Sequence, residues 1–111
     1  DLSMLGRLEI QKVAVILNQV VKELPKNLNW IIRVDGHTDN TSMVSGAEFK
    51  DNWELSQARA LSVVRFMISD LGFPKERLAA TGFGEFQPIT SGSSPEERAQ
   101  NRRIEIKLTE K

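Results

Sequence analysis

Between Arg103 and Leu108 charged and apolar residues alternate without a break: Ile104, Ile106 and Leu108 fall to one side, Arg103, Glu105 and Lys107 to the other. A two-residue period belongs to extended chain, so residues 102–109 read as a strand with one buried face and one wet face. Such a strand needs an apolar layer against its dry side, which points to a two-layer architecture. Two upstream segments can supply that layer. Over 3–24, Leu5, Leu8, Val13, Ile16, Leu17, Val20, Val21 and Leu24 approximate a 3.6-residue period, with Arg7, Lys12, Gln19 and Lys22 between them. Ser3 stands where an N-cap belongs and Pro25 where the helix must stop. A second helix reads over 53–71 from the spacing of Leu55, Ala58, Leu61, Ile68 and Leu71.

The run Trp30-Ile31-Ile32-Arg33-Val34-Asp35, closed by Gly36, reads as another strand, and 78–83 as a third. Residues 73–77 read as a turn with one helical twist, and 84–97, rich in Gly, Ser and Pro, as a loop. The order helix, strand, helix, strand, strand predicts an α/β (α+β) two-layer sandwich, with the helices on one face of a small mixed sheet. Three strands make a narrow platform for two long helices, so a further strand ahead of Asp1 is expected. The 111 residues suit one domain over 1–111. Opening on Asp rather than Met, the chain reads as a piece excised from a longer, membrane-anchored protein.

Several functions are excluded on composition. Fifteen Lys and Arg balance fifteen Asp and Glu, which leaves no basic excess for nucleic acid or an anionic membrane. The absence of Cys removes disulfides, thiolate metal sites and thiol nucleophiles together. The longest apolar run, Val13 to Leu17, has five residues, against about 20 for a membrane helix. There is no Gly-x-Ser-x-Gly, and Gly82-Phe83-Gly84 has Gln87 where a dinucleotide fingerprint needs its third glycine.

Two polar clusters remain. The first, Asp35-Gly36-His37-Thr38-Asp39-Asn40-Thr41, follows the first strand and opens a polar loop over 37–51. Ligands gather at strand-end loops in α/β sheets, and a long loop in a small domain is more often functional than idle. The second, Asn52-Trp53-Glu54-Leu55-Ser56-Gln57-Ala58-Arg59, enters the second helix, where Asn52, Ser56 and Arg59 at i, i+4 and i+7 share a side. Arg59 is a guanidinium fork suited to a carboxylate, and Asp39 a carboxylate suited to an ammonium. Together they make a receptor for a zwitterion such as an amino-acid head group. The competing reading pairs Asp39 directly with Arg59 as an internal salt bridge. Asp35, His37 and Asp39 also suggest a metal-dependent or acid–base hydrolase, although one imidazole and two carboxylates are a weak signal. His37 fits better as a structural hydrogen-bonding group in the turn.

In order along the chain, Ile32-Arg33-Val34-Asp35-Gly36-His37-Thr38-Asp39, Asn52-Trp53-Glu54-Leu55-Ser56-Gln57-Ala58-Arg59-Ala60, Gly82-Phe83-Gly84 with Pro88, and Asn101-Arg102-Arg103-Ile104-Glu105 resemble the OmpA-like C-terminal domain. That family includes the MotB and Pal branches, and the Asn-Trp-Glu-Leu-Ser wording with its long preceding loop is closer to MotB. The resemblance implies an OmpA-C-like fold and non-catalytic binding of peptidoglycan in the Gram-negative periplasm. It implies that diaminopimelate of the stem peptide docks between the strand-end loop and the helix. On that basis Asp39 takes the amino group and Arg59 the carboxylate. Thr41, Asn52 and an arginine of the pair Arg102 and Arg103 line the pocket, with Leu55 as its apolar wall. The resemblance further implies an anchor to the inner or outer membrane upstream of Asp1 and leaves a homodimer open. No cofactor, metal or nucleic acid enters this reading. Two departures from the family pattern stand out: its usual first strand is missing ahead of the first helix, and residues 42–50 lengthen the loop. A protein–protein module sharing the fold is the third alternative.

Overall fold

The computed structural model describes residues 3–43 and 46–111; of the loop read over 37–51, positions Val44 and Ser45 lie outside them. Helix α1 (Met4–Lys22) is followed by strand β1 (Trp30–Gly36), helix α2 (Asn52–Ser69), a single 3-10 turn (Lys75–Arg77), strand β2 (Leu78–Gly82), helix α3 (Pro95–Asn101) and strand β3 (Ile104–Glu110). Strand β1 is central, parallel to β2 and antiparallel to β3, giving the order β2-β1-β3. The parallel pair needs a crossover, and α2 is that crossover. This is the expected mixed sheet with its helices.

Register assigns the faces. Ile32 lies opposite Leu78 and Leu108, and Val34 opposite Ala80 and Ile106. These side chains meet Ile10, Ala14 and Leu17 of α1 and Ala60, Val63, Val64 and Met67 of α2 in one core. The alternate positions Arg33, Asp35, Glu105 and Lys107 fall on the far face, where charge replaces apolar packing. There the Arg33 guanidinium holds both oxygens of Asp35, at 2.8 and 3.0 Å. Lys107 approaches the same carboxylate at 3.7 Å, and Asp35 is fully buried beneath the two cations.

Two expectations are corrected. On α1 the packed stripe is Ile10, Ala14 and Leu17, whereas Leu5, Leu8, Val13, Ile16 and Val20 face solvent. The stretch Val13 to Leu17 is apolar all round, so periodicity by itself does not say which side meets the sheet. The second correction is α3, which occupies part of the segment read as loop. Ser94 accepts from the Glu97 N–H while the Glu97 carboxylate accepts from the Ser94 N–H, with Pro95 at the first helical position. That capping box starts a helix without any apolar period to betray it.

The junction between β1 and α2 is unusually close. A Cβ placed on Gly36 would fall 2.2 Å from the Ser56 carbonyl oxygen, and one on Gly82 would fall 2.6 Å from the Gln57 amide nitrogen. Only hydrogen fits between these strand ends and the helix backbone. The loops leaving β1 and β2 are thereby pressed against the first turns of α2.

Candidate functional site

From Gly36 the chain leaves the sheet and is tied down at each step. The His37 N–H donates to the Arg103 carbonyl (3.0 Å) and the Thr38 N–H to the Gly84 carbonyl (2.9 Å). Asp39 then turns the chain, one carboxylate oxygen accepting from the Thr41 N–H at 2.9 Å. Its other oxygen accepts from Arg102 Nη1 at 2.6 Å. Burial disfavours the Asp39 charge. The Thr41 N–H and the Arg102 guanidinium outweigh it and hold the carboxyl below its ordinary value.

Asn52 opens α2, one residue after the cap Asp51, whose side chain accepts from the Glu54 N–H at 2.9 Å. Its buried amide donates to the carbonyls of Thr41 (3.0 Å) and Asp39 (3.4 Å) and to the Glu85 carboxylate (3.0 Å). One side chain therefore fastens the Asp39 turn to the helix and to the loop after β2. Ser56 is fully buried one turn later; its hydroxyl accepts from the Gly84 N–H (2.9 Å) and donates to the Trp53 carbonyl (3.0 Å). Asn52 and Ser56 thus serve as cement, while Arg59, the third of the series, is exposed.

Arg59 and Leu55 line an open hollow of about 690 Å³ together with Glu48, Phe49, Ala58 and Ile104. Two of its lining residues lie close along the chain to the partners of Asp39: Leu55 is three residues after Asn52 on α2, and Ile104 two after Arg102 at the start of β3. Among the described residues Arg59 makes no ion pair, and the direct Asp39–Arg59 bridge does not form.

Asn101, Arg102 and Arg103 point three ways. The buried Asn101 amide accepts from the N–H groups of Ile89 and Thr90 and donates to the Thr90 carbonyl, pinning the loop ahead of α3. Arg102 goes to Asp39. Arg103 turns to the charged sheet face, with Nε 2.6 Å from Glu105 and Nη2 donating to the Gln87 carbonyl at 2.8 Å. The structure therefore groups Asp39, Thr41, Asn52 and Arg102, sets Leu55 and Arg59 in the neighbouring hollow, and directs Arg103 elsewhere.

His37 lies flat on Phe83, with ring centroids 5.1 Å apart; among the described residues neither ring nitrogen has a hydrogen-bond partner, the Glu105 carboxylate standing 3.9 Å from Nε2. Burial, reinforced by the Arg103 charge, pushes its pKa down, so the ring is held neutral. The structural hydrogen bond expected of this imidazole does not form among the described residues, where the ring stacks on Phe83. Asp35, His37 and Asp39 do not converge either. Asp35 is clamped by Arg33, Asp39 by Arg102, and among the described residues no three His, Asp or Glu side chains gather as metal ligands.

Glu85, the acceptor for Asn52, and Phe49, shared by the hollow, were not among the expected site residues. Phe49 is the one Phe, Tyr or Trp of the 37–51 loop; Glu85 carried no signal, because its partner is 33 residues away in sequence.

Comparison with known proteins agrees with this fold. The OmpA family model matches residues 6–102. Motility protein B of Bacillus subtilis is 33% identical over 106 residues, covering 91% of this chain and 39% of that protein. The peptidoglycan-binding protein ArfA of Mycobacterium tuberculosis is 37% identical over 91 residues, covering 82% of this chain and 26% of ArfA. The chain spans about two-fifths of the length of YtxE of Bacillus subtilis as well, at 41%. Among solved structures the C-terminal domain of Helicobacter pylori MotB superposes with a TM-score of 0.80 at 29% identity, covering 98% of this chain and 76% of that one. With the family model reaching from α1 to the end of α3 and the fold matching throughout, the chain belongs to the OmpA family.

Proposed function

We propose that this chain is a single, non-catalytic peptidoglycan-binding domain that recognises the diaminopimelate of the stem peptide as a zwitterion. The observation that supports this most is the pair of charges around the α2 entrance. Asp39 is a carboxylate already shaped around a cation, and Arg59 is an uncommitted guanidinium in the adjoining hollow. In this reading the ligand ammonium takes the place of Arg102 on Asp39, and the ligand carboxylate forms a two-pronged contact with Arg59. Thr41 and Asn52 hold the loop in position, Leu55 provides the apolar wall, and Arg102 remains at the rim. Arg103 stays outside the pocket and braces β3. The chain works in the wall-facing compartment of the envelope, the periplasm in a Gram-negative cell, and ties an anchored parent protein to the wall.

Insoluble purified peptidoglycan should retain the wild-type domain in a pull-down. Each charge-assisted contact contributes about 1.5–3 kcal/mol, so Asp39→Ala and Arg59→Ala should each weaken binding about ten- to a hundredfold. Unchanged retention by both variants sinks the reading. Solubilisation of the wall by the wild-type protein establishes the hydrolase in its place.

A further inference from the structure

Trp53 is more than half exposed (55%) although it sits in the first turn of a well-packed helix. Its indole is not loose: the Phe86 ring braces it at 4.6 Å and 32°. Beyond the indole lies a second open hollow of about 560 Å³, lined by Phe49, Trp53, Gln57, Ala58 and Leu61. Phe49, Ala58 and Leu61 also line the Arg59 hollow, so the two form one surface on either side of Phe49. Resting on the peptidoglycan reading, we propose that the Trp53 hollow is a carbohydrate subsite that takes the flat C–H face of a sugar ring of the murein glycan strand.

The chemistry is selective for such a ring. A pyranose presents one apolar face of polarised C–H bonds, which packs on the negative face of an indole, and a rim of hydroxyl and acetamido groups. The rim of the hollow matches it. Gln57 donates its amide N–H to the Ala80 carbonyl at 3.1 Å, and its Oε1 accepts no bond among the described residues. Glu54 adds a carboxylate beside it. A protein partner needs a continuous face of about 800 Å², whereas here Glu54 and Gln57 interrupt the apolar surface at its edge. Continuity with the Arg59 hollow fits a polymer that carries sugar and peptide together. A weak sugar contact then adds to a weak peptide contact by effective concentration.

The test compares a sugar-free stem tripeptide, the corresponding disaccharide tripeptide and the N-acetylglucosamine tetramer, with Asp39→Ala as the peptide-site control. The chain has two tryptophans, so two indole N–H signals report binding by NMR. The disaccharide tripeptide should bind about three- to tenfold more tightly than the tripeptide. It and the tetramer should both shift the Trp53 indole. Trp53→Ala should bring the disaccharide tripeptide down to the tripeptide affinity and leave the tripeptide itself unchanged, since Trp53 lines only the second hollow. Equal affinities in the wild type, or no effect of the substitution, overturn the subsite and leave the peptide site standing. If neither muropeptide nor tripeptide binds, the peptidoglycan reading and the subsite fall together. A Trp53 shift with protein concentration alone assigns the hollow to a second copy and also overturns it.

Discussion

Asn52 carries more of the site than either charged residue. Its amide serves two carbonyls of the Asp39 turn and the Glu85 carboxylate from a buried position. Asn52→Ala leaves those acceptors unpaired, and a loss of about 1–3 kcal/mol in chemical denaturation is expected. Asn52→Asp should cost more, because it sets a second carboxylate against Glu85. His37 makes the opposite case. Its ring is buried without a hydrogen-bond partner among the described residues and its pKa lies below the ordinary value, so the unfolded chain takes up a proton that the folded chain refuses. Stability from this source is intact above pH ~6.5 and falls as the solution is acidified, with a slope of at most about 1.4 kcal/mol per pH unit. His37→Phe keeps the stack on Phe83 and should flatten the stability curve between pH 5 and 6.5; an unchanged slope refutes the assignment. At this scale the sequence was informative about chemistry and poor about direction. The residue types Asp39, Arg59 and Asn52 drew attention to the strand-end loop and the α2 entrance, but nothing in Arg102-Arg103 says which guanidinium turns towards Asp39. That choice is made by α3, which ends just before Arg102.

Helix α1 shows why elements are easier to read than their orientation. Its existence, its Ser3 cap and its end before Pro25 follow from the sequence, and the Ser3 hydroxyl does accept from the Gly6 N–H. Its inward face depends on a sheet far away in the chain. Leu17→Ala or Ile10→Ala should cost about 2–5 kcal/mol, and Leu5→Ala or Ile16→Ala under about 0.5 kcal/mol. Thermal unfolding of the four variants separates the two faces. Strands were legible for the converse reason: alternation in β3 and β-branching in β1 are local signals that the pairing respects. Helix α3 was missed because its only signature is a capping box on a polar segment, and apolar spacing is blind to it.

For the whole molecule, the shifted ionisations share a sign on the acid side. Among the carboxylates, Asp39, Glu97 and Glu105 lie below their ordinary pKa. At Asp39 paired donors overcome burial, and at Glu105 Arg103 is the leading cause. A depressed carboxyl stabilises the fold above its unfolded pKa and loses that contribution as pH falls through the folded value. With neutral His37 acting in the same direction, the melting temperature should decline steadily from pH ~6.5 towards pH 3. An acid-independent melting temperature contradicts this. The Cα radius of gyration is 15.1 Å, above the ~13 Å of a compact chain this long. The excess fits a body 47 Å long and 27 Å across, with Met4, Leu5 and Leu8 of α1 exposed.

The seam at Gly36 and Gly82 has one more consequence. The gap separating the Asp39 turn from the helix bearing Arg59 is a dimension set by two missing methyl groups, and it acts as a gauge for whatever spans it. On the proposed zwitterion reading, drift at either glycine does more than loosen the fold, because it recalibrates the length of ligand that can reach both charges at once.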